Sequence, residues 1–299
     1  MKKLLCILLS LLLPAALTGC AASAEPAQIA ATTLPVYEFT VRLCEDTPLS
    51  VTRLVTEEVS CLHDYSLNVR QVKAAEAAEL IVISGAGLEA FLDDLLVDAH
   101  VIDASENIPL LCPGEAHSHD HEEEDAHSHE GHQHDQDPHI WLSPRNARDM
   151  AANICRGLCE AYPDHEKTFT KNLSVLNDEL DALHQYGTQK LEALSCRELI
   201  TFHDGFAYFA ECFDLEILRA VEEESGSEAS AKELIHLIEE VEHHSLPAIF
   251  TEKSGSVSAA GIIARETGCG SYTLDMAMAG DSYFDAMYHN IDTIKEALG

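Results

Sequence analysis

Short apolar runs alternate along this chain with stretches of helical periodicity. In the first half, Leu80–Ser84 (LIVIS) is apolar almost without a break, the pattern of a parallel strand buried on both faces. Gln28–Leu34, Ser50–Val55 and Val101–Asp103 read as further strands, with helices predicted at Tyr37–Cys44, Val69–Ala78 and Leu88–Val97. Arg145–Tyr162 reads as another helix. Asp164–Ser195 reads as a single long one: Pro163 stands before it, and apolar residues fall at 169, 173, 176, 180 and 183, in alternating steps of four and three. At 1.5 Å per residue such a helix spans about 48 Å, enough to pass from one lobe to another. In the second half, Leu199–Phe202, Ile217–Val221, Ala248–Thr251 and Tyr272–Leu274 read as strands. Helices are predicted there at Phe206–Cys212, Ala231–His243, Ser256–Thr267 and Ile291–Leu298. The alternation predicts an α/β protein of two lobes, each a four-stranded, mainly parallel sheet with flanking helices. The lobes are expected at residues 28–162 and 196–299, joined by one long rigid helix at 163–195.

Two segments break this pattern. Lys2 and Lys3 followed by the apolar run Leu4–Leu13 form a signal segment, too short for a spanning helix. It ends in Leu17-Thr18-Gly19-Cys20, which resembles a bacterial lipobox. The expectation is a lipoprotein signal peptide over residues 1–19, lipid on Cys20, a small polar tether over 20–27, and an extracytoplasmic protein held at the cell membrane. The second break is residues 112–138, which hold seven histidines (His117, His119, His121, His127, His129, His132 and His134), nine acids and no Lys or Arg. A segment so poor in apolar side chains cannot bury a core and is expected to be a mobile loop.

Composition narrows the partners. The 299 residues include 18 Lys plus Arg against 52 Asp plus Glu, a formal charge of −34. Loss of residues 1–19 removes two Lys and no acid, which leaves −36. Phosphate recognition needs a basic face, so nucleic acid is excluded as a partner. An acidic chain suits cations. Cys6 leaves with the signal and Cys20 carries lipid, so eight of the ten cysteines remain, with no C-x-x-C pair. That argues against a zinc ribbon or a thioredoxin-type site, and leaves disulfide pairing open.

Candidate chemistry lies at the ends of the predicted strands. His63, His139, His203 and Asp275 stand just after strands or in the loops that follow, two in each lobe. Ligands of open parallel sheets bind beyond the carboxyl ends of the strands, so these four would converge between the lobes. Three imidazoles and one carboxylate suit a tetrahedral zinc ion.

These residues sit in motifs that resemble one family. His63-Asp-Tyr-Ser-Leu with Arg70-Gln-Val-Lys-Ala-Ala, Gly85-Ala-Gly-Leu-Glu, Asp137-Pro-His-Ile-Trp-Leu-Ser-Pro, Phe202-His-Asp-Gly-Phe-Ala-Tyr-Phe and Met287-Tyr-His-Asn-Ile-Asp-Thr-Ile are similar to the zinc/manganese solute-binding lipoproteins of ABC importers, the cluster A-I proteins. The resemblance spans essentially the whole mature chain. It implies two α/β lobes joined by a rigid helix, with one metal in the cleft held by His63, His139, His203 and Asp275. It also implies a membrane permease as partner; a monomer is expected. Members resembling manganese importers carry Glu at the third position, and His203 there favours Zn2+ over Mn2+. Two departures stand out. Leu62 precedes His63 where some zinc members have an acidic ligand, so Asp275 or water completes the shell. Glu223-Glu-Ser-Gly only loosely matches the family's acidic-Pro pair.

Zinc-type members often carry a His-rich loop where this chain has its own. Here it would be an auxiliary, low-affinity zinc trap beside His139. Asp64 and Asp204 are candidates to orient the ligand imidazoles. Trp141 is expected to pack beneath the site, His243-His244 to end a helix in solvent, and Glu222–Glu224 to form a solvated surface. Gly85-Ala-Gly-Leu lacks the third glycine of a dinucleotide fingerprint and reads as a turn. The expected function is a non-enzymatic zinc receptor delivering Zn2+ to an ABC permease. A manganese receptor, a secreted zinc hydrolase and an extracellular metal buffer or adhesin are the alternatives. Three His plus water suits a hydrolase, but there is no His-Glu-x-x-His.

Overall fold

A computed structural model describes residues 27–59, 62, 65–111, 136–222, 230–253 and 257–299. Strands β1 (Ile29–Ala31), β2 (Val51–Arg53), β3 (Leu80–Ile83) and β4 (Val101–Asp103) form one parallel sheet in the order β2-β1-β3-β4. Strands β5 (Glu198–His203), β6 (Glu216–Glu222), β7 (Ala248–Glu252) and β8 (Gly270–Leu274) form a second in the matching order β6-β5-β7-β8. In each sheet the direction of strand progression reverses beside the first strand. The reversal opens a crevice at the carboxyl edge between β1 and β3, and another between β5 and β7.

The strands explain their own apolar runs, because both faces of each sheet are covered. Ile29, Ala31, Leu80 and Val82 face the large central core, while Ala30 and Ile81 turn to a smaller cluster with Leu54, Ala75 and Leu92. In the second sheet, Leu199, Ala248 and Phe250 face the central core; Ile200, Phe202 and Ile249 face a cluster with Leu237, Val241 and Ile263. The central core is continuous across the two sheets.

Helices α1 (Leu34–Leu43), α2 (Val69–Ala77), α3 (Asp93–Leu96), α4 (Pro144–Ala161), α5 (Glu166–Leu191), α6 (Ala207–Cys212), α7 (Ala231–His244), α8 (Ser258–Thr267) and α9 (Tyr283–Leu298) complete the described fold. Caps set several starts. Asn68 and Gln71 form a capping box on α2, as do Ser230 and Glu233 on α7; Ser143 caps α4 and Ser282 caps α9.

Four predicted elements shift. β1 stops at Ala31 because Pro35, inside the first turn, begins α1. The helix expected at 88–97 is a 3-10 turn (Ala90–Leu92) followed by the single turn of α3. The long helix is α5 alone, 26 residues, with a separate 3-10 turn at Pro163–His165 before it. At 1.5 Å per residue α5 is about 39 Å long, shorter than expected. α9 begins eight residues earlier than predicted, because Tyr283, Phe284 and Met287 extend the buried stripe of Ile291, Ile294 and Leu298. No helix among the described residues is long and apolar enough to cross a membrane. The signal segment, Cys20, His63, Asp64, the seven loop histidines, Glu223 and Glu224 lie outside the described residues.

Candidate metal centre

β5 ends in His203, which is 1% exposed, as is His139 just before the 3-10 turn Ile140–Leu142. Asp137 fixes His139 twice. Its Oδ1 accepts the His139 backbone N–H at 2.9 Å and lies 2.7 Å from Nδ1. With the ring proton on Nδ1 donated to the carboxylate, the Nε2 lone pair is free to face a ligand. That nitrogen lies 3.4 Å from His203 Nε2, with the two rings nearly perpendicular at 87°. Two imidazoles on one tetrahedral zinc at 2.0–2.1 Å place their nitrogens about 3.3 Å apart. The spacing of the two nitrogens therefore matches one edge of such a site.

The surroundings hold this pair rigidly. Trp141 is fully buried, meets His139 edge-on at 5.4 Å, and donates its indole N–H to the Met276 carbonyl at 2.8 Å. Tyr283 Oη donates to the Trp141 carbonyl, and Tyr208 Oη to that of Asp137. Gly205 is required for close approach: a Cβ there would stand 2.6 Å from Met276 Cε and 2.8 Å from His203 Cδ2.

Asp275 follows β8 at the same edge of the sheet. Its backbone N–H donates to Asn290 Oδ1, and Asn290 Nδ2 returns a bond to its carbonyl, both at 2.7 Å. The carboxylate accepts from the Ala277 N–H at 2.8 Å and pairs with Lys253 Nζ at 3.5 Å. So the fold brings His139 and His203 together, while Asp275 is engaged with other partners. Among the described residues no group of three or more His, Cys, Asp or Glu forms a ready metal site. His63 lies outside them.

Sequence reasoning passed over two carboxylates here. Asp137 orients His139 through Nδ1, a role that sequence reasoning had not given it. Its position two residues before the histidine was the available signal. Glu252, only 2% exposed at the end of β7, lines a small cavity with Glu58, Lys253, Asp275, Met276 and Met278. The polar end of the apolar strand Ala248–Glu252 was its only mark.

The carboxyl edge of the first sheet carries a further buried carboxylate. Glu89 accepts from Thr32 Oγ1 and the Ser84 N–H, each at 2.7 Å, and from the Gly85 N–H at 3.0 Å. Burial pushes its carboxyl up to about 7, against these hydrogen bonds. Gly85, Ala86 and Gly87 all have positive φ, the turn expected of that motif. His244 ends α7 with its Nδ1 3.0 Å from Glu198 Oε2.

Residues 29–297 match the family described as zinc-uptake complex component A, periplasmic. The chain belongs to this family. Its members are extracytoplasmic zinc solute-binding proteins of ABC importers. A protein of Treponema pallidum (strain Nichols) whose name refers to metal binding is 31% identical over 243 residues, covering 79% of this chain and 76% of that one. The zinc-binding lipoprotein AdcA of Streptococcus pneumoniae is 28% identical over 285 residues, covering 90% of this chain and 55% of its own length. The present chain thus spans about half of that relative. The Zn(II)-bound ZnuA-like domain of AdcA superposes with a TM-score of 0.74 at 26% identity, covering 91% of this chain and 98% of that one. A crystal structure of ZnuA does so with a TM-score of 0.77 at 28% identity, covering 91% and 100%.

Proposed function

We propose that this family member is a zinc receptor that captures Zn2+ between its lobes and passes it to an ABC permease. His139, His203, His63 and Asp275 are its ligands in this reading. The observation that carries it is the 3.4 Å approach of two buried imidazole Nε2 atoms, one oriented by Asp137. Nitrogen donors favour zinc over manganese, whose preferred ligands are oxygens. Asp275 must exchange Lys253 for the metal to complete the shell. Membership of a solute-binding family supports a receptor that catalyses no reaction, and the lipobox at Cys20 supports lipid anchoring at the membrane.

The His-rich segment is read as an auxiliary zinc trap. Its flanks support this placement: the Asp137 N–H donates to the Leu111 carbonyl at 2.8 Å, so the segment leaves and returns at one point, two residues from His139. The deciding measurement is calorimetry on metal-stripped protein, titrated with Zn2+ and Mn2+ separately and in competition. One sub-micromolar zinc site that manganese displaces poorly, and that is lost in His203→Ala, is expected. Preference for manganese, or zinc binding indifferent to His203→Ala, would overturn the proposal.

A further inference from the structure

Among the described residues, Lys253 is the one cation lining the cavity that Glu58, Glu252 and Asp275 share. It follows β7, and its backbone N–H donates to the Leu274 carbonyl at 2.9 Å, which fixes its position beside Asp275. Its ammonium lies 3.5 Å from Asp275 Oδ2 and 3.9 Å from Glu58 Oε2. Glu58 belongs to the loop after β2, in the other lobe. The ion pairs therefore reach across the cleft. Asp275 is the better shielded partner, its side chain 17% exposed against 54% for Lys253 and 59% for Glu58.

We propose that Lys253 is a built-in counter-ion that occupies Asp275 in the metal-free protein and competes with zinc for it. The inference rests on Asp275 being a zinc ligand. A carboxylate facing an acidic cleft repels its neighbours; the ammonium offsets that charge until a divalent cation replaces it. Zinc binding then includes the loss of the Lys253–Asp275 pair, and the released ammonium swings to solvent or to Glu58. The consequence is a site held weaker than its ligands alone would make it, which favours release to a permease.

The test measures zinc affinity by competition with a chromophoric chelator, on metal-stripped full-length protein, for wild type, Lys253→Gln, Lys253→Arg, Asp275→Asn and Lys253→Gln/Asp275→Asn. A half-exposed ion pair is worth up to about 1 kcal/mol, so Lys253→Gln should bind zinc about two- to fivefold more tightly. Lys253→Arg keeps the charge and should stay at the wild-type value. Asp275→Asn should weaken binding, and adding Lys253→Gln to it should give no gain. Unchanged or weaker binding in Lys253→Gln overturns the counter-ion role while leaving the ligand set intact. Unchanged binding in Asp275→Asn removes Asp275 from the ligand set; tightening by Lys253→Gln that persists in that background shows that Lys253 does not act through Asp275.

Discussion

Asp137 Oδ1 sits 2.7 Å from His139 Nδ1, so a single carboxylate selects the tautomer whose Nε2 faces His203. Its removal should cost more than its distance from the metal suggests. Asp137→Ala is expected to weaken zinc binding by about 10- to 100-fold, the usual effect of deleting an orienting partner, while circular dichroism stays native. Glu89 makes a prediction of another kind. Its carboxyl is raised to about 7 from an ordinary 4.5, so the folded state holds the proton more tightly than the unfolded. The protonated group contributes stability fully below the unfolded value, and this is lost as pH rises through about 7. A shift of this size corresponds to about 3 kcal/mol. Urea unfolding between pH 4.5 and 8 should show that decline, and Glu89→Gln should flatten it. A wild-type curve no steeper than that of the variant would count against the buried-acid account.

At the scale of elements, α5 joins the halves by packing on α4 and α1 of the first and on α9 of the second. Gly187 lies on the buried face of α5, where a Cβ would stand 2.5 Å from Phe213 Cζ and 3.1 Å from Ile291 Cδ1. Gly187→Ala should destabilise the protein by about 1–3 kcal/mol through overpacking, despite the better helix propensity of alanine. Thermal denaturation checks this; a stabilised variant would mean that the helices part easily. The strands were legible in the sequence because covering both faces of a sheet demands continuous apolar runs. Leu80–Ile83 and Ala248–Glu252 are cases. The start of α9 was hidden because Gly280-Asp281-Ser282 reads as a turn, and the stripe that lengthens the helix uses Tyr283 and Phe284 rather than aliphatic residues. The 88–97 helix failed because Glu89 turns inward to the backbone of Ser84 and Gly85 instead of lying on a helix surface.

Across the whole molecule, the lobes share one core and several cross-links. Leu34 N–H donates to the Met278 carbonyl at 3.1 Å, Arg53 Nη1 to that of Gly280 at 2.7 Å, and the Tyr283 N–H to Glu38 Oε2 at 2.6 Å. The tight site and the His-rich segment are separable in such a frame, because the Leu111–Asp137 hydrogen bond closes the base of the segment independently of its contents. Deletion of residues 116–136 should leave one tight zinc site of unchanged stoichiometry and abolish weaker zinc binding, as read by equilibrium dialysis. Loss of the tight site would instead make the segment part of it.

The sequence by itself determined the two-lobed α/β plan, the positions of the strands and His203 at the carboxyl end of β5, since periodicity and local motifs encode these directly. Tertiary structure alone decided which groups meet. It set His139 against His203 with Asp137 behind, gave Asp275 to Lys253, and merged the inner faces of two sheets into one core. The His139–His203 and Lys253–Asp275 pairings join side chains far apart in the chain, whose approach follows from how the sheets and α5 and α9 pack, and no local pattern records that packing.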